Sequence, residues 1–151
     1  MAHPSDSSAQ RKAEQELIQG LSTRIQVQLK AEHLNVGSRV PIQIDGFSLE
    51  HRVLAEAFAR IGDLKPAQTQ KVLSDILKML FIEKFQGGSW RKILVFADDI
   101  TARTIKSSSW VAKAVTAFGI EVEIVSLSKP TRENILQAQE LQKMINDVGG
   151  A

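Results

Sequence analysis

The chain has no cysteine among its 151 residues, which excludes disulfide bonds and any thiolate-ligated metal. A cysteine-free chain also suits a reducing cytoplasm, where we expect this one to reside. No apolar run approaches the roughly 20 residues that a membrane span needs. The start, MAHPSDSSAQRKAEQ, lacks the apolar core of a signal peptide, so no membrane partner is expected. His3, His33 and His51 fall at no zinc-binding spacing, and no glycine-rich strand-to-helix loop of the nucleotide-cradling kind is present. Aromatic residues are scarce, and Trp90 and Trp110 each flank an expected strand or helix, which suits packing better than base stacking.

What remains is the composition of an ordinary water-exposed domain, 43% hydrophobic and 24% charged, with enough chain for one proper core. The net charge is only +2, but it is uneven. From Arg52 to Lys113 there are eleven Lys and Arg against six Asp and Glu. A basic middle between acidic ends suits a polyanionic partner; charges scattered over all faces are the plainer reading.

Residues 1–13 are small and polar, and a disordered tail is expected there, with a single domain over 14–148. Leu17, Ile18, Leu21 and Ile25 recur at helical spacing, predicting a first helix from Glu14 to about Lys30 that Gly20 weakens without ending. Val40, Ile42 and Ile44 alternate with polar residues and predict a strand, starting at Pro41 or lying at a sheet edge. Asp45-Gly46 and the polar residues from Ser48 to His51 then turn the chain. Arg52 to Arg60 is apolar on both faces except at Glu56, the mark of a central strand. Pro66 opens a helix that runs to about Lys84. Lys92 to Ala97 reads as a buried parallel strand, and Ser107 or Ser108 caps a helix from Ser109 to Phe118. Ile120 to Leu127 reads as a strand near an edge, and Ser128-Lys129-Pro130 opens a last helix to about Asn146. Together these predict an α/β fold in three layers, a mixed sheet with helices on both faces.

The expensive residue is Glu56. It shares a strand face with Leu54 and Phe58, and an ionised carboxylate there is strongly penalised unless it is paired, protonated or bound to a metal. If its strand pairs with the preceding one in antiparallel fashion, Asp45 comes near it, and two carboxylates on adjacent strands suit Mg²⁺ or Mn²⁺. Pairing of Glu56 with Lys71 or Arg60, and a turn role for Asp45, explain the same residues without a metal. On the following helix Gln68, Lys71, Asp75 and Lys78 lie within roughly an 80° arc, either a solvent face or one wall of a site.

This ordered set (helix, strand with Asp45, strand with Glu56, helix with Gln68 and Lys71) resembles the restriction-endonuclease-like superfamily of PD-(D/E)XK nucleases. The likeness covers roughly residues 14–97 as an α-β-β-α-β core, with an α-β-α extension behind it. In that superfamily an Asp on the second strand and a Glu-x-Lys on the third bind divalent metal and position the attacking water. The resemblance implies a metal-dependent phosphodiester hydrolase using Mg²⁺ or Mn²⁺. Asp45 and Glu56 would be its metal ligands, joined by Glu16 on the first helix, with Glu14 equally placed. Phe58 stands where the Glu-x-Lys lysine belongs. Lys71 is then the candidate for a lysine migrated to the helix, with Gln68 in support. Arg60, Lys65, Lys78, Arg91 and Lys92 are the expected phosphate contacts. Nucleic acid is the expected partner, with a homodimer or a separate subunit for target recognition. The missing lysine favours the alternative, a catalytically inactive member of the same fold that binds nucleic acid or protein. Asp98-Asp99, after a buried strand, offers a third reading, a metal or phosphoryl site of another kind.

Overall fold

The computed structural model describes residues 4–37, 39–107 and 109–149. Its elements run α1 (Pro4–Ile25), β1 (Lys30–Leu34), β2 (Ile42–Ser48), β3 (Val53–Phe58), α2 (Pro66–Gln86), β4 (Arg91–Phe96), α3 (Asp99–Lys106), α4 (Trp110–Ala117), β5 (Ile120–Ile124) and α5 (Lys129–Gly149). The strands form one five-stranded sheet in the order β1-β2-β3-β4-β5. The first three are antiparallel neighbours, and β3, β4 and β5 are parallel. The sheet is therefore mixed, as expected.

Side-chain alternation sorts the core into two layers. Ala55, Ala57, Ile93 and Val95 face Leu17 and Leu21 of α1 and Ile135 of α5. Leu54, Phe58, Leu94 and Phe96 face Val72, Ile76 and Met79 of α2, with α3 and α4 beyond. The alanines of β3 let α1 lie close across the sheet. Gly20 allows the same at the other end, because a Cβ there would stand 2.4 Å from Val125 Cγ1. All of β3 is buried, and it is the central strand of the five, as its two apolar faces imply.

Several expectations are corrected. Residues 4–13, expected to be disordered, are the first half of α1, and Ala13 is fully buried against the core. The helix ends at Ile25 rather than Lys30, with Gln26 in the left-handed region at φ 58°. Ser22 helps fix the exit, because its hydroxyl donates to Ile18 O and accepts from Leu29 N. The chain then forms β1, which makes β2 an interior strand. Asp45-Gly46 is not a turn but lies within β2, and the chain reverses at residues 49–52. A further short helix, α3, follows Asp98. The α4 cap is Ser109, which accepts from Ala112 N; Ser108, an alternative, lies outside the described residues. Trp90 packs on Phe47 as expected, but Trp110 is 69% exposed.

Candidate functional site at the fork between two strands

Two steps along β1, from Lys30 to Glu32, match three along β2, from Phe47 to Ile44. One extra residue therefore sits in β2 at Asp45-Gly46, a β-bulge, and bulges re-aim side chains. The effect appears on the other flank of β2. Its pairing with β3 covers Ser48, Phe47 and Gly46 opposite Val53, Leu54 and Ala55. Beyond that point side chains replace the ladder. Asp45 Oδ2 accepts from Ala57 N at 3.0 Å, and Glu56 Oε1 accepts from Asp45 N at 3.4 Å. The sheet forks here, and each carboxylate braces the other strand's backbone.

α2 closes one side of the fork. Lys78 Nζ lies 3.4 Å from Glu56 Oε1 and 3.4 Å from Asp75 Oδ1. Asp75 is 5% exposed and Glu56 3%, so the polar stripe on α2 is not simply a solvent face. α1 supplies a further acid. Glu14, held by Gln10 Nε2 at 2.9 Å, is affected by the charges of Asp45, Lys71 and Asp75. Glu16 is directed elsewhere: its Oε1 accepts from Ser128 at the start of α5. Of the two candidate acids Glu14 and Glu16, Glu14 is the one that feels the charges of the fork.

Four carboxyls against two ammonium groups leave more negative charge than a buried site tolerates. Burial, then the charges of Asp45 and Asp75, push the Glu56 carboxyl from 4.5 up to about 9, against the pull of Lys78. Burial likewise raises Asp75 and Glu14. Lys78 is raised because the Glu56 and Asp75 carboxylates outweigh its own burial. Burial and its acidic neighbours thus favour the protonated form of Glu56. Among the described residues, no three His, Cys, Asp or Glu side chains group closely enough to hold a metal ion.

The remaining sequence candidates separate. Phe58 stacks on Phe96 at 5.1 Å, and the Lys71 ammonium stands 6.0 Å over the Phe58 ring, a cation–π distance. Gln68 reaches back over the start of α2, with its Oε1 accepting from Lys65 N at 2.7 Å. Gln68, Arg60 and Lys65 line a cleft of about 510 Å³ at the start of α2. A smaller hollow shares Arg60 and Gln68 and extends to Phe58 and Lys71, at the edge of the fork. Arg91 and Lys92 lie at the opposite end of the sheet. Arg91 is paired with Glu121 at 2.7 Å, and Lys92 is buried on Glu83 at 2.6 Å. Asp98 Oδ2 accepts from Gly62 N at 2.8 Å and Asp99 pairs with Arg103, so both acids serve local structure. Asp75 and Lys78, central to the fork, share the helical arc with Gln68 and Lys71, but spacing alone does not set them against Glu56.

Compared with protein-family models, with curated proteins and with solved structures, the chain gives no match. No helix among the described residues is long and apolar enough to cross a membrane.

Proposed function

We propose that this chain is a metal-dependent phosphodiester hydrolase of restriction-endonuclease-like fold, with its site at the β2–β3 fork. One observation carries the reading: Asp45 and Glu56 meet across the fork, cross-braced to each other's strands, with Glu56 buried. The strand β1 strengthens the resemblance. It makes the Asp45 strand the second and the Glu56 strand the third, which is the order the superfamily pattern implies.

The donor set fits Mg²⁺ or Mn²⁺. It consists of oxygen alone, and Mg²⁺ usually takes one or two protein carboxylates and completes its shell with water and substrate phosphate. Asp45 and Glu56 would hold the ion, with Glu14 nearest from α1. When bound, the ion supplies Lewis-acid stabilisation of the phosphate and acidifies a water. Glu56 would hold the ion in its deprotonated form, together with Asp45. Asp75 holds Lys78 against Glu56 and keeps that ammonium charged. Lys71, over the ring of Phe58, would place a positive charge at the mouth of the fork for a phosphate oxygen.

A second reading has its own support: a non-catalytic module of the same fold. Lys78 already bridges Glu56 and Asp75, so the acids are partly neutralised without a metal. Incubating single- and double-stranded DNA and RNA with Mg²⁺ or Mn²⁺ separates the two. Cleavage by the wild type and its loss in Glu56→Ala support hydrolysis. Cleavage that survives Glu56→Ala removes this site assignment.

A further inference from the structure

The cleft beside the fork is built by the C-terminal helix, which lies outside the part of the chain that resembles the nuclease core. α5 supplies Leu136, Gln139 and Lys143, opposite Arg60, Lys65 and Gln68 from the β3–α2 connection and the start of α2. Among the described residues, Glu140 is the one acid in the lining. The position of this wall is fixed. Gln139 spends both ends of its amide on Ile61, accepting from its N at 2.8 Å and donating to its O at 3.0 Å. Asp98 and Thr101 hold the same connection from the other side, through Gly62 N and through Arg60 O and Gly62 O.

None of Arg60, Lys65, Lys71 and Lys143 has a carboxylate within 4 Å among the described residues, whereas Lys78, Arg91 and Lys92 each do. Arg60, Lys65 and Lys143 thus line one cleft beside the fork without a carboxylate partner, although Arg60 Nε donates to Asp63 O, and Lys71 stands at the junction. A volume of about 510 Å³ lies in the range of about 300–1,000 Å³ typical of small-ligand sites. A cleft of that volume suits a nucleotide or two.

We infer that this cleft binds a short single-stranded stretch of nucleic acid, with its phosphates on Arg60, Lys65 and Lys143, and leads it past Lys71 to the fork. The inference rests on the hydrolase reading for the fate of the strand, but the binding itself does not depend on it. Gln68 has its amide NH₂ left to donate, and Leu136 is an apolar surface for a base. Among the described residues, no aromatic residue lines the larger cleft. Stacking therefore contributes little, and affinity comes mainly from charge.

The test is fluorescence anisotropy with end-labelled oligo-dT and oligo-U in EDTA, where no hydrolysis intervenes, titrated across salt. For single strands the slope of log K against log salt is about 0.7 per phosphate contact. Each contact is thus worth about eightfold between 1 M and 50 mM salt. Lys143→Glu and Lys65→Glu are each expected to lose about that much at 50 mM and to flatten the slope by about 0.7. Lys113→Glu, on α4, is expected to bind like the wild type. Equal binding by Lys143→Glu, Lys65→Glu and wild type overturns the inference, as does tighter binding of a duplex of the same length. The two readings fail separately. If Lys143→Glu cleaves and binds as the wild type while Glu56→Ala does not cleave, the cleft falls and the hydrolase stands. If Lys143→Glu loses binding and no variant cleaves with either metal, the cleft stands and the hydrolase falls.

Discussion

Replacing Glu56 with Gln is expected to stabilise the metal-free protein at neutral and alkaline pH while abolishing the proposed cleavage. In the unfolded chain this carboxyl titrates at its ordinary 4.5, and in the fold at about 9. Between those values the native state holds a proton that the unfolded state has released, so stability falls as pH rises. The contribution is intact below about 4.5 and declines through the window up to about 9. At pH 7.5 the lag is three pH units at about 1.4 kcal/mol each, an upper bound of about 4 kcal/mol. Glutamine has the same shape and needs no proton. Its oxygen still accepts from Asp45 N and Lys78, and its NH₂ can donate to the Asp45 carboxylate. We therefore expect a gain of about 1–3 kcal/mol at pH 7.5, shrinking toward zero or reversing at pH 5. Asp75 and Glu14 titrate in both proteins, so the difference between variant and wild type reports Glu56 together with its coupling to them. Urea unfolding of both proteins in EDTA from pH 5 to 9 measures it. A difference that stays flat across that range, or a variant that loses stability as pH rises, refutes the reasoning.

Other expectations follow from the same geometry. Lys78→Met leaves Glu56 and Asp75 without their shared cation; we expect a loss of about 1–3 kcal/mol, below the about 3–5 for a fully buried pair, because Lys78 is 26% exposed. Adding Asp75→Asn to Lys78→Met should recover part of that loss in a double-mutant cycle read by denaturant unfolding. Thr101→Val removes the hydroxyl that holds Arg60 O and Gly62 O at a fully buried position. It should cost about 1–3 kcal/mol and increase amide exchange in the 60–65 connection.

The parts of the fold read correctly from sequence are those where the periodicity is strong. β3 and β4 are apolar on both faces because helices cover both, and α2 carries a wide apolar arc. β1 escaped because an edge strand has few buried positions: four of its five residues are exposed, and KAEHL has no clear alternation. The end of α1 escaped because Gln26, not a glycine, takes the left-handed conformation there. α3 turns toward the core on Thr101, Ala102 and Ile105, a face too small and polar to stand out.

The candidate site was half visible. A carboxylate among apolar residues marks Glu56, and its antiparallel neighbour supplies Asp45. That Asp45-Gly46 is a bulge rather than a turn depends on pairing with β1, which lies eleven or more residues upstream and has no sequence signature of its own. Glu14 and Glu16 lie about 200° apart on a helix, so spacing alone cannot choose which faces the fork. Asp75 resembles any acid on a helix's polar face until Glu56 and Lys78 are set beside it.

The central claim is that the Asp45–Glu56 fork hydrolyses phosphodiesters with a divalent cation. The most direct measurement is the initial cleavage rate of labelled single-stranded DNA and RNA with Mn²⁺ or Mg²⁺, for wild type, Asp45→Asn and Glu56→Gln, each first verified as folded. The account predicts metal-dependent cleavage by the wild type and a loss of about 10²-fold or more in each variant. Wild-type rates in either variant, or cleavage that persists in EDTA, would contradict it.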